Sequence, residues 1–398
     1  MLSFHKFMVL ATLGLTAAAA SDECTDDIVI NAVDYNFGCT TVSGKVTVSP
    51  TLQGALNING PKTFKSDFIV NGTTQLLSIT SSTLKEIDGQ FLVQDATLLS
   101  SINMPSLSSL SQLTLNRLAQ LQTLQFSSSG VSDATSVNIA DTFLSDISGL
   151  NLATVDSMTI NNNKKLTMFN SNLVNITKTL ILVENGNDMQ VNLTELQSAY
   201  EIQISNVKSL DAPALTQVQS GLKFDTNPNL VSFQAANLTS VGTAKNGGSV
   251  SFINNAKLGN ISFPLLKTIA GDLTVVNNTV LDEITGFPSL TTVYNMLLGG
   301  NFENATLPKL DDVKGTINVK STSNITDVCK FFNSLKGKVV QGKVNCEGGL
   351  DSNSANNQNG LNSSSSSGSG NKKNAAGVPV LSTAAMFLGL VAAAAQLL

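Results

Sequence analysis

Short alternating patterns of hydrophobic and polar residues recur along most of the chain. In each pattern, two apolar residues flank one other residue, and the pattern returns after 20 to 28 residues. Alternation with period two is typical of a β-strand with one buried face, and this spacing falls around the range of leucine-rich-type repeats. The thirteen pairs are Val46/Val48, Phe68/Val70, Phe91/Val93, Leu113/Leu115, Val137/Ile139, Met158/Ile160, Leu180/Leu182, Ile202/Ile204, Leu222/Phe224, Val250/Phe252, Leu273/Val275, Met296/Leu298 and Ile317/Val319.

A second pattern, P-x-L-x-x-[LIV], precedes several of these pairs. Because proline donates no ladder hydrogen bond, we expect it at the corner where a new strand begins, with the following leucine pointing inward. The pattern starts at Pro105, Pro213, Pro264, Pro288 and Pro308.

Asparagine recurs three to five residues after the first residue of many pairs. Asparagine tolerates left-handed turn conformations and bonds to turn backbone, so stacked repeats predict an asparagine ladder. Its expected members are Asn116, Asn161, Asn185, Asn206, Asn227, Asn254, Asn277 and Asn301.

These units bury their apolar faces only against neighbouring units, which is the property of a solenoid. We therefore predict an all-β fold, a right-handed parallel β-solenoid of about 13 coils of ~22 residues. The widest step surrounds residues 242–248 and predicts a loop insertion, and a helical apolar stripe appears only at residues 326–335.

Four cysteines flank the repeats, Cys24 and Cys39 before them and Cys329 and Cys346 after them. Four cysteines allow three disulfide connectivities. The ends of a long rod cannot meet, so we expect local pairing, Cys24 with Cys39 and Cys329 with Cys346. Each disulfide would then fix a cap over an open end of the stack, where unpaired strand edges need protection. A zinc site is the disfavoured alternative in a secreted chain.

Both ends of the sequence carry targeting patterns. Residues 1–20 have a weakly positive start, an apolar run and a small-residue stretch, as in a cleaved secretory signal. The last residues form an uncharged apolar tail, preceded by a short spacer and small residues, as in a GPI-attachment signal. We expect attachment at Asn374, with Gly368 or Gly370 as alternatives. A tail-anchored helix is the competing interpretation of the tail.

Four segments follow from these boundaries. They are a signal peptide at 1–20, a β-solenoid at 21–346, a Ser/Asn/Gly-rich linker at 347–374 and a GPI-attachment propeptide at 375–398 that is removed. The linker holds too few apolar residues to offset the entropy of ordering it. Lys372 and Lys373, just before the expected attachment site, suggest retention at the membrane.

The amino-acid composition excludes several classes of function and site. The net charge of −5 and a single arginine, Arg117, exclude a strongly basic nucleic-acid binder. The only histidine, His5, lies in the signal segment, so the mature chain has none and histidine-based catalysis and metal binding are excluded. No cofactor is expected. The acidic doublets Asp282-Glu283 and Asp311-Asp312 are the carboxylate candidates, but adjacent strand residues point to opposite faces.

Nine N-x-[ST] sequons make N-glycosylation the most numerous candidate modification. In a chain this rich in Asn, Ser and Thr, chance alone predicts a similar number. Asn175, Asn237 and Asn304 fall at or beside the P-x-L corner, where we expect solvent exposure, whereas Asn277 should be modified least because it belongs to the expected ladder. The sequons are at Asn71, Asn175, Asn192, Asn237, Asn260, Asn277, Asn304, Asn324 and Asn362.

The combination of signal peptide, flanking cysteine pairs, ~22-residue repeats, Ser-rich stalk and GPI signal resembles the fungal GPI-anchored cell-wall-organisation proteins of the sporulation-specific/extracellular-mutant family. Their repeats are similar to receptor L-domains. The resemblance implies a surface glycoprotein of the plasma membrane outer leaflet and cell wall, needed for wall integrity, without enzymatic activity. The expected partners are the membrane, through the GPI lipid, and wall glucan or mannoprotein.

Three functions remain open at this point. The first is a non-catalytic, GPI-anchored organiser of the cell wall. The second is an L-domain-like receptor for a peptide or wall glycan, which would need a groove lined by exposed aromatic or acidic side chains. The third is a wall-glycan remodelling enzyme with paired carboxylates about 5–9.5 Å apart. The absence of Trp removes one usual sugar-stacking platform.

Overall fold

The computed structural model describes residues 22–349, which form a parallel β-solenoid of about fourteen turns. The signal segment, the linker from residue 350 onward, the propeptide, the candidate attachment sites Asn374, Gly368 and Gly370, and the sequon at Asn362 lie outside the described residues. The last strand includes Glu347, the first residue of the predicted linker. Each turn contributes a strand to up to three parallel ladders, named here A, B and C in the order in which the chain enters them.

Ladder B is the regular wall of the solenoid. The thirteen predicted apolar pairs stack in it in register, from Val46 beside Phe68 to Met296 beside Ile317, which confirms the repeat. The structure adds one strand at each end, so ladder B has fifteen strands within residues 22–349. Those found only in ladder B are Ile28–Ile30, Val46–Val48, Phe68–Asn71, Ser136–Thr142, Ser249–Ile253, Leu273–Val276, Met296–Gly300, Ile317–Ser321 and Val344–Glu347.

Ladder A precedes ladder B in each turn, and in six turns one bent strand runs through both. These shared strands are Glu86–Gln94, Ser109–Leu118, Thr154–Asn161, Asn175–Val183, Ser198–Ile204 and Gln217–Asp225. Short strands of ladder A alone are Glu23–Cys24, Thr41–Val42, Thr63–Phe64, Ser240–Val241, Thr268–Ile269, Thr292–Val293 and Asp312–Val313.

Ladder C is interrupted and follows ladder B. Its first group of strands is Gly54–Asn57, Leu76–Thr80, Ser101–Asn103 and Thr123–Gln125, and its second is Met168–Asn170, Met189–Asn192 and Val207–Asp211. Two further pairs are Ser232–Gln234 with Asn260–Ser262, and Glu283–Ile284 with Asn304–Ala305. All five prolines of the P-x-L pattern lie in turns that lead from ladder C to ladder A, as expected.

The core fills the space between the ladders with aliphatic and aromatic side chains. The apolar residues of ladder B stack on their counterparts one turn away, for example Phe224 on Phe252 with ring centroids 4.8 Å apart and planes 4° from parallel. Because each side chain packs against the same position in the next turn, stability is shared between neighbouring turns along the stack.

Both ends of the described solenoid are closed as predicted. Cys24 is bonded to Cys39 and Cys329 to Cys346. The expected helical stripe is helix α1, Thr326–Ser334, which buries Val328 and Phe332 and packs beside the last strand. Within residues 22–349, no helix has the length and apolar character needed to cross a bilayer.

The predicted insertion is a small loop between ladders A and B. Thr243 and Gly247 form an antiparallel bridge, and the flanking Gly242 and Gly248 have φ of +83° and +140°. A Cβ on Gly248 would lie 2.2 Å from the Cα of Gly242, so glycine is required where the two ends of the loop meet. The register of ladder B is the same before and after the loop.

Candidate functional site

Every turn from the strand Phe68–Asn71 to the strand Leu273–Val276 leaves ladder B through one left-handed residue. The position is four residues after the first residue of the buried pair, and its φ lies between +53° and +70°. Only the first of these residues is a glycine, so the turn imposes a conformation that most side chains avoid. They are Gly72, Asp95, Arg117, Asp141, Asn162, Glu184, Asn206, Thr226, Asn254 and Asn277.

The buried asparagine ladder exists, but its membership differs from the sequence prediction. It occupies the position after the left-handed residue, so Asn185 and Asn227 are members, as predicted, and Asn163, Asn255 and Asn278 are members that were missed. Each of these five donates from Nδ2 to a backbone carbonyl of ladder B in an earlier turn.

The other predicted ladder members occupy different places. Asn206, Asn254 and Asn277 are the left-handed residues themselves, because a spacing of four instead of five moves the side chain from the core to the surface. Asn116 lies within a ladder B strand and Asn161 ends one, both on the outer face. Asn301 is exposed and donates to the carbonyl of Thr279. The predicted place of Asn277 in the buried ladder is therefore wrong, which removes the reason to expect the least glycosylation there.

Eight of the nine sequons lie in the described part of the chain, spread over several sides. Asn71, Asn237, Asn260, Asn277 and Asn324 are exposed, whereas Asn175, Asn192 and Asn304 are half-buried. The expected corner position fits Asn237, which lies in a turn. Asn175 and Asn304 instead belong to strands of ladders A and C, where neighbouring turns cover part of each side chain.

The acidic doublets lie at the surface near short strands. Asp282 and Glu283 are exposed, and Asp311 is exposed beside the half-buried Asp312, which accepts a hydrogen bond of 3.0 Å from Nε2 of Gln341. Within residues 22–349, no three Cys, His, Asp or Glu side chains are close enough to hold a metal ion.

Two carboxylates with shifted pKa values, Glu86 and Asp95, lie at opposite ends of the same bent strand. The negative charge of Asp88 raises the pKa of Glu86 above its ordinary value, and desolvation adds to the effect. One turn later, Arg117 donates two hydrogen bonds to Asp95, at 2.5 and 2.7 Å, and holds the pKa of that carboxyl below its ordinary value. The ion pair between Asp95 and Arg117 therefore joins the left-handed residues of two adjacent turns.

The outer face of ladder B is a flat strip of three rows, formed by the residues before, between and after each buried pair. Its middle row runs through Leu92, Thr114, Asn138, Thr159 and Ile181 in successive turns. A shallow cleft of about 480 Å³ adjoins these turns at the border with ladder A.

The cleft follows from a gap in ladder A. Between the strands Ser109–Leu118 and Thr154–Asn161, the intervening turn makes only a single bridge, Ser109 with Asp133. Ala134 is the small buried residue in this turn, and Asp88, Ser111 and Thr135 are among the polar residues that line the space. No motif in the sequence marks this gap, apart from the small residue Ala134 at a position that is Leu or Val in the adjoining turns.

Comparison with known proteins identifies relatives over most of the chain. Protein ecm33 of Aspergillus fumigatus is 30% identical over 353 residues, covering 87% of this chain and 86% of the relative. The cell surface GPI-anchored protein ECM33 of Candida albicans is 32% identical, covering 85% and 82%. Sporulation-specific protein 22 of Saccharomyces cerevisiae is 27% identical, covering 86% and 74%.

No family model matches the chain, and no solved structure matches it. The family assignment therefore rests on relatives that match 85–87% of the chain. They confirm the family resemblance that the repeats, cysteines and terminal signals predict. The chain belongs to the Ecm33/SPS2 family of fungal cell-surface and cell-wall proteins.

Proposed function

We propose that this protein is a non-catalytic, GPI-anchored glycoprotein that organises the fungal cell wall and is required for its integrity. The observation that carries the proposal is the relationship over most of the chain to proteins whose names place them at the cell surface and in the wall. As part of this proposal, the GPI anchor is attached at Asn374.

The structure supports a scaffold role through its rigidity. Each turn is fixed to the next by backbone ladders, a packed core and buried asparagines. Such a stack presents its surface side chains at fixed spacings of about 4.8 Å per turn. A wall organiser needs a stiff, secreted body on a tether, and exposed sequons on several sides allow it to carry glycans.

The placement of the acidic doublets argues against catalysis by either of them. Glycoside hydrolysis needs one carboxyl group of raised pKa as the acid and a second at a suitable distance. Asp282 and Glu283 are both exposed at a strand border, and Asp311 is exposed beside an Asp312 that is already hydrogen-bonded. Neither doublet lines the cleft beside ladder B.

A complementation experiment tests the role. Cells that lack this gene receive the full chain, the full chain with Asp282→Asn, Glu283→Gln, Asp311→Asn and Asp312→Asn, or a chain ending at 374. We expect the first two to restore resistance to a wall-binding dye and the third to be secreted without restoring it. Loss of rescue by a folded, correctly located carboxylate variant would refute the non-catalytic role.

Surface fractionation tests the anchor separately. Phospholipase C specific for GPI should release the full chain from intact cells after the wall is opened, and mass spectrometry should find the lipid remnant on Asn374. Release by glucanase alone would show covalent transfer to wall glucan and would contradict retention at the membrane.

A further inference from the structure

The outer face of ladder B is uncharged over five successive turns. From Gln90 to Val183, all fifteen positions in its three rows are neutral, eleven with an amide or hydroxyl group and four aliphatic. We call these fifteen positions the neutral face. It ends one turn later at the ion pair between Glu201 and Lys223, whose Oε1 and Nζ are 2.5 Å apart.

The neutral face carries no sequon. Among the described sequons, only Asn71 belongs to the outer rows of ladder B, and it lies in the turn before the neutral face begins. Glycans on the other described sequons would therefore attach outside these rows. N-glycosylation of the described sequons therefore modifies none of the fifteen positions directly, and the nearest sequon in ladder B, Asn71, lies in register with Gln94 at the edge of the neutral face.

Much of the hydrogen-bonding capacity of the neutral face is unused. Gln90 donates to Thr114 at 3.3 Å, whereas the side-chain amides of Asn138 and Asn161 make no hydrogen bond to another described residue. Nearly all of the fifteen side chains are partly exposed, so their polar groups can pair with a ligand. The aliphatic side chains of Leu92 and Ile181 lie in the same strip.

The cleft at the ladder A border extends this surface. Ser111 and Thr135, which line it, are followed in sequence by Gln112 and Ser136 of the neutral face. Asp88, also in the lining, adds a carboxylate that can accept hydrogen bonds from hydroxyl groups. The strip and the cleft therefore form a continuous surface of hydroxyl, amide and carboxylate groups.

We propose that the neutral face and this cleft bind an extended, uncharged polysaccharide. Sugar hydroxyl groups both donate and accept, as amides and side-chain hydroxyls do. Along the strip, binding a neutral polymer desolvates no charged group, which avoids the largest cost of burying polar surface. In the cleft, hydrogen bonds from sugar hydroxyl groups to Asp88 offset the desolvation of its carboxylate. An anionic polymer would find no basic residue there. The five turns span about 19 Å along the stack, enough for several sugar units.

This inference rests on the proposed wall-organising function and is tested separately from it. Full-length protein, solubilised from membranes in detergent, is titrated calorimetrically with laminarin, a soluble β-1,3-glucan, and in parallel with β-1,6-glucan, mannan and dextran sulfate. We expect saturable binding to at least one neutral polymer, which identifies the source, and no binding to dextran sulfate at physiological salt.

Charge substitutions locate the site. Asn138→Asp with Thr159→Asp places two charges in the middle row and should weaken binding at least tenfold. Ser251→Asp with Thr274→Asp, at the equivalent positions of two later ladder B strands, is the matched control and should change binding less than twofold. Thermal midpoints verify folding of each variant, and enzymatic removal of N-glycans should leave the affinity unchanged.

Three outcomes would overturn the inference. The first is that no neutral polymer binds, and the second is that the double variant of the neutral face and the control bind equally well. The third is concentration-dependent self-association that only the double variant of the neutral face abolishes, because this result would identify a second copy of the chain as the occupant. If binding fails while complementation by the full chain succeeds, the binding surface is wrong and the wall function stands.

Discussion

The side-chain oxygen of Asn278 accepts two hydrogen bonds from Asn255, one from its backbone N–H at 3.0 Å and one from its Nδ2 at 3.0 Å. Asn255 accepts the same two bonds from Asn227 in the preceding turn, at 3.0 and 2.8 Å. One buried amide side chain thus connects three consecutive turns of the stack, and its removal leaves polar groups without partners on both sides.

Asn255→Ala is expected to be strongly destabilising. Two buried donors of Asn227 lose their acceptor, and each orphaned group costs about 1–3 kcal/mol, so the free energy of unfolding should fall by about 3 kcal/mol or more. Urea unfolding of the full chain measures the effect. Asn246→Ala, in the exposed loop, is the control, and an equal loss in both variants would contradict a special role for the ladder.

Thr73 and Thr142 occupy the same position in different turns and should respond oppositely to valine. The buried Oγ1 of Thr73 has no hydrogen-bond partner, whereas Oγ1 of Thr142 donates to Asn163 at 2.6 Å. Thr73→Val should be neutral or stabilising by about 1 kcal/mol, and Thr142→Val destabilising by about 1–3 kcal/mol. Val207 already occupies this position in another turn. Destabilisation of both variants to the same extent would contradict the assignment.

Removing the second disulfide should loosen one end of the stack. Cys329→Ser with Cys346→Ser opens a bridge that spans 17 residues, for which the chain-entropy model gives about 3 kcal/mol. Hydrogen exchange should accelerate in the last strands, Ile317–Ser321 and Val344–Glu347. The matched variant, Cys24→Ser with Cys39→Ser, should accelerate exchange at the opposite end instead. Uniform acceleration along the whole chain in either variant would show that the caps do not act locally.

Glu86 and Asp95 should change the pH dependence of the protein's stability in opposite directions. The folded-state pKa of Glu86 is raised above 4.5, so its ionisation penalises the fold as pH rises through that folded pKa, and Glu86→Gln should raise the thermal midpoint at pH 7 but not well below pH 4.5.

Asp95 provides the internal comparison. Its folded-state pKa is lowered below 3.8, so its contribution is present above that value and is lost as pH falls through the folded pKa. Asp95→Asn should lower the midpoint at pH 7 and have little effect at the acid end. The effect at Asp95 should be small because the Asp95–Arg117 pair is partly exposed. Identical pH profiles for the two variants would contradict these assignments.

Asn277 should carry a glycan. Its side chain is exposed in a left-handed turn, where its Nδ2 donates to Asn254 at a long 3.3 Å. Peptide mapping after enzymatic deglycosylation in ¹⁸O-water should mark Asn277 at least as fully as Asn304, which is half-buried in ladder C. Occupied Asn304 with unmodified Asn277 would contradict a rule based on exposure.

Much of the fold could be predicted because each turn repeats the same physical requirement. The thirteen pairs, the proline corners and the four cysteines each mark a position where a buried side chain, a missing donor or a covalent link leaves little freedom. Two extra strands were missed as members of the stack because they belong to the caps: Ile28–Ile30 lies between Cys24 and Cys39, and Val344–Glu347 contains Cys346.

The asparagine assignments failed for a geometric reason. Two adjacent positions both favour asparagine, one for its left-handed backbone and the next for its buried amide, as in Asn254 and Asn255. A window of three to five residues after the first residue of each pair includes both positions, whereas a spacing of five residues selects the buried one. The cleft near Asp133 could not be predicted, because it results from an interrupted ladder A and no sequence motif marks that interruption.

The loop at residues 242–248 lengthens one turn without changing the register of the strands on either side. Extra residues leave the wall of the solenoid through paired glycines and return to the same lateral position. Insertions and deletions at this corner can therefore accumulate during divergence without shifting any strand, and a peptide tag placed after Lys245 offers an entry point for imaging the protein in living cells.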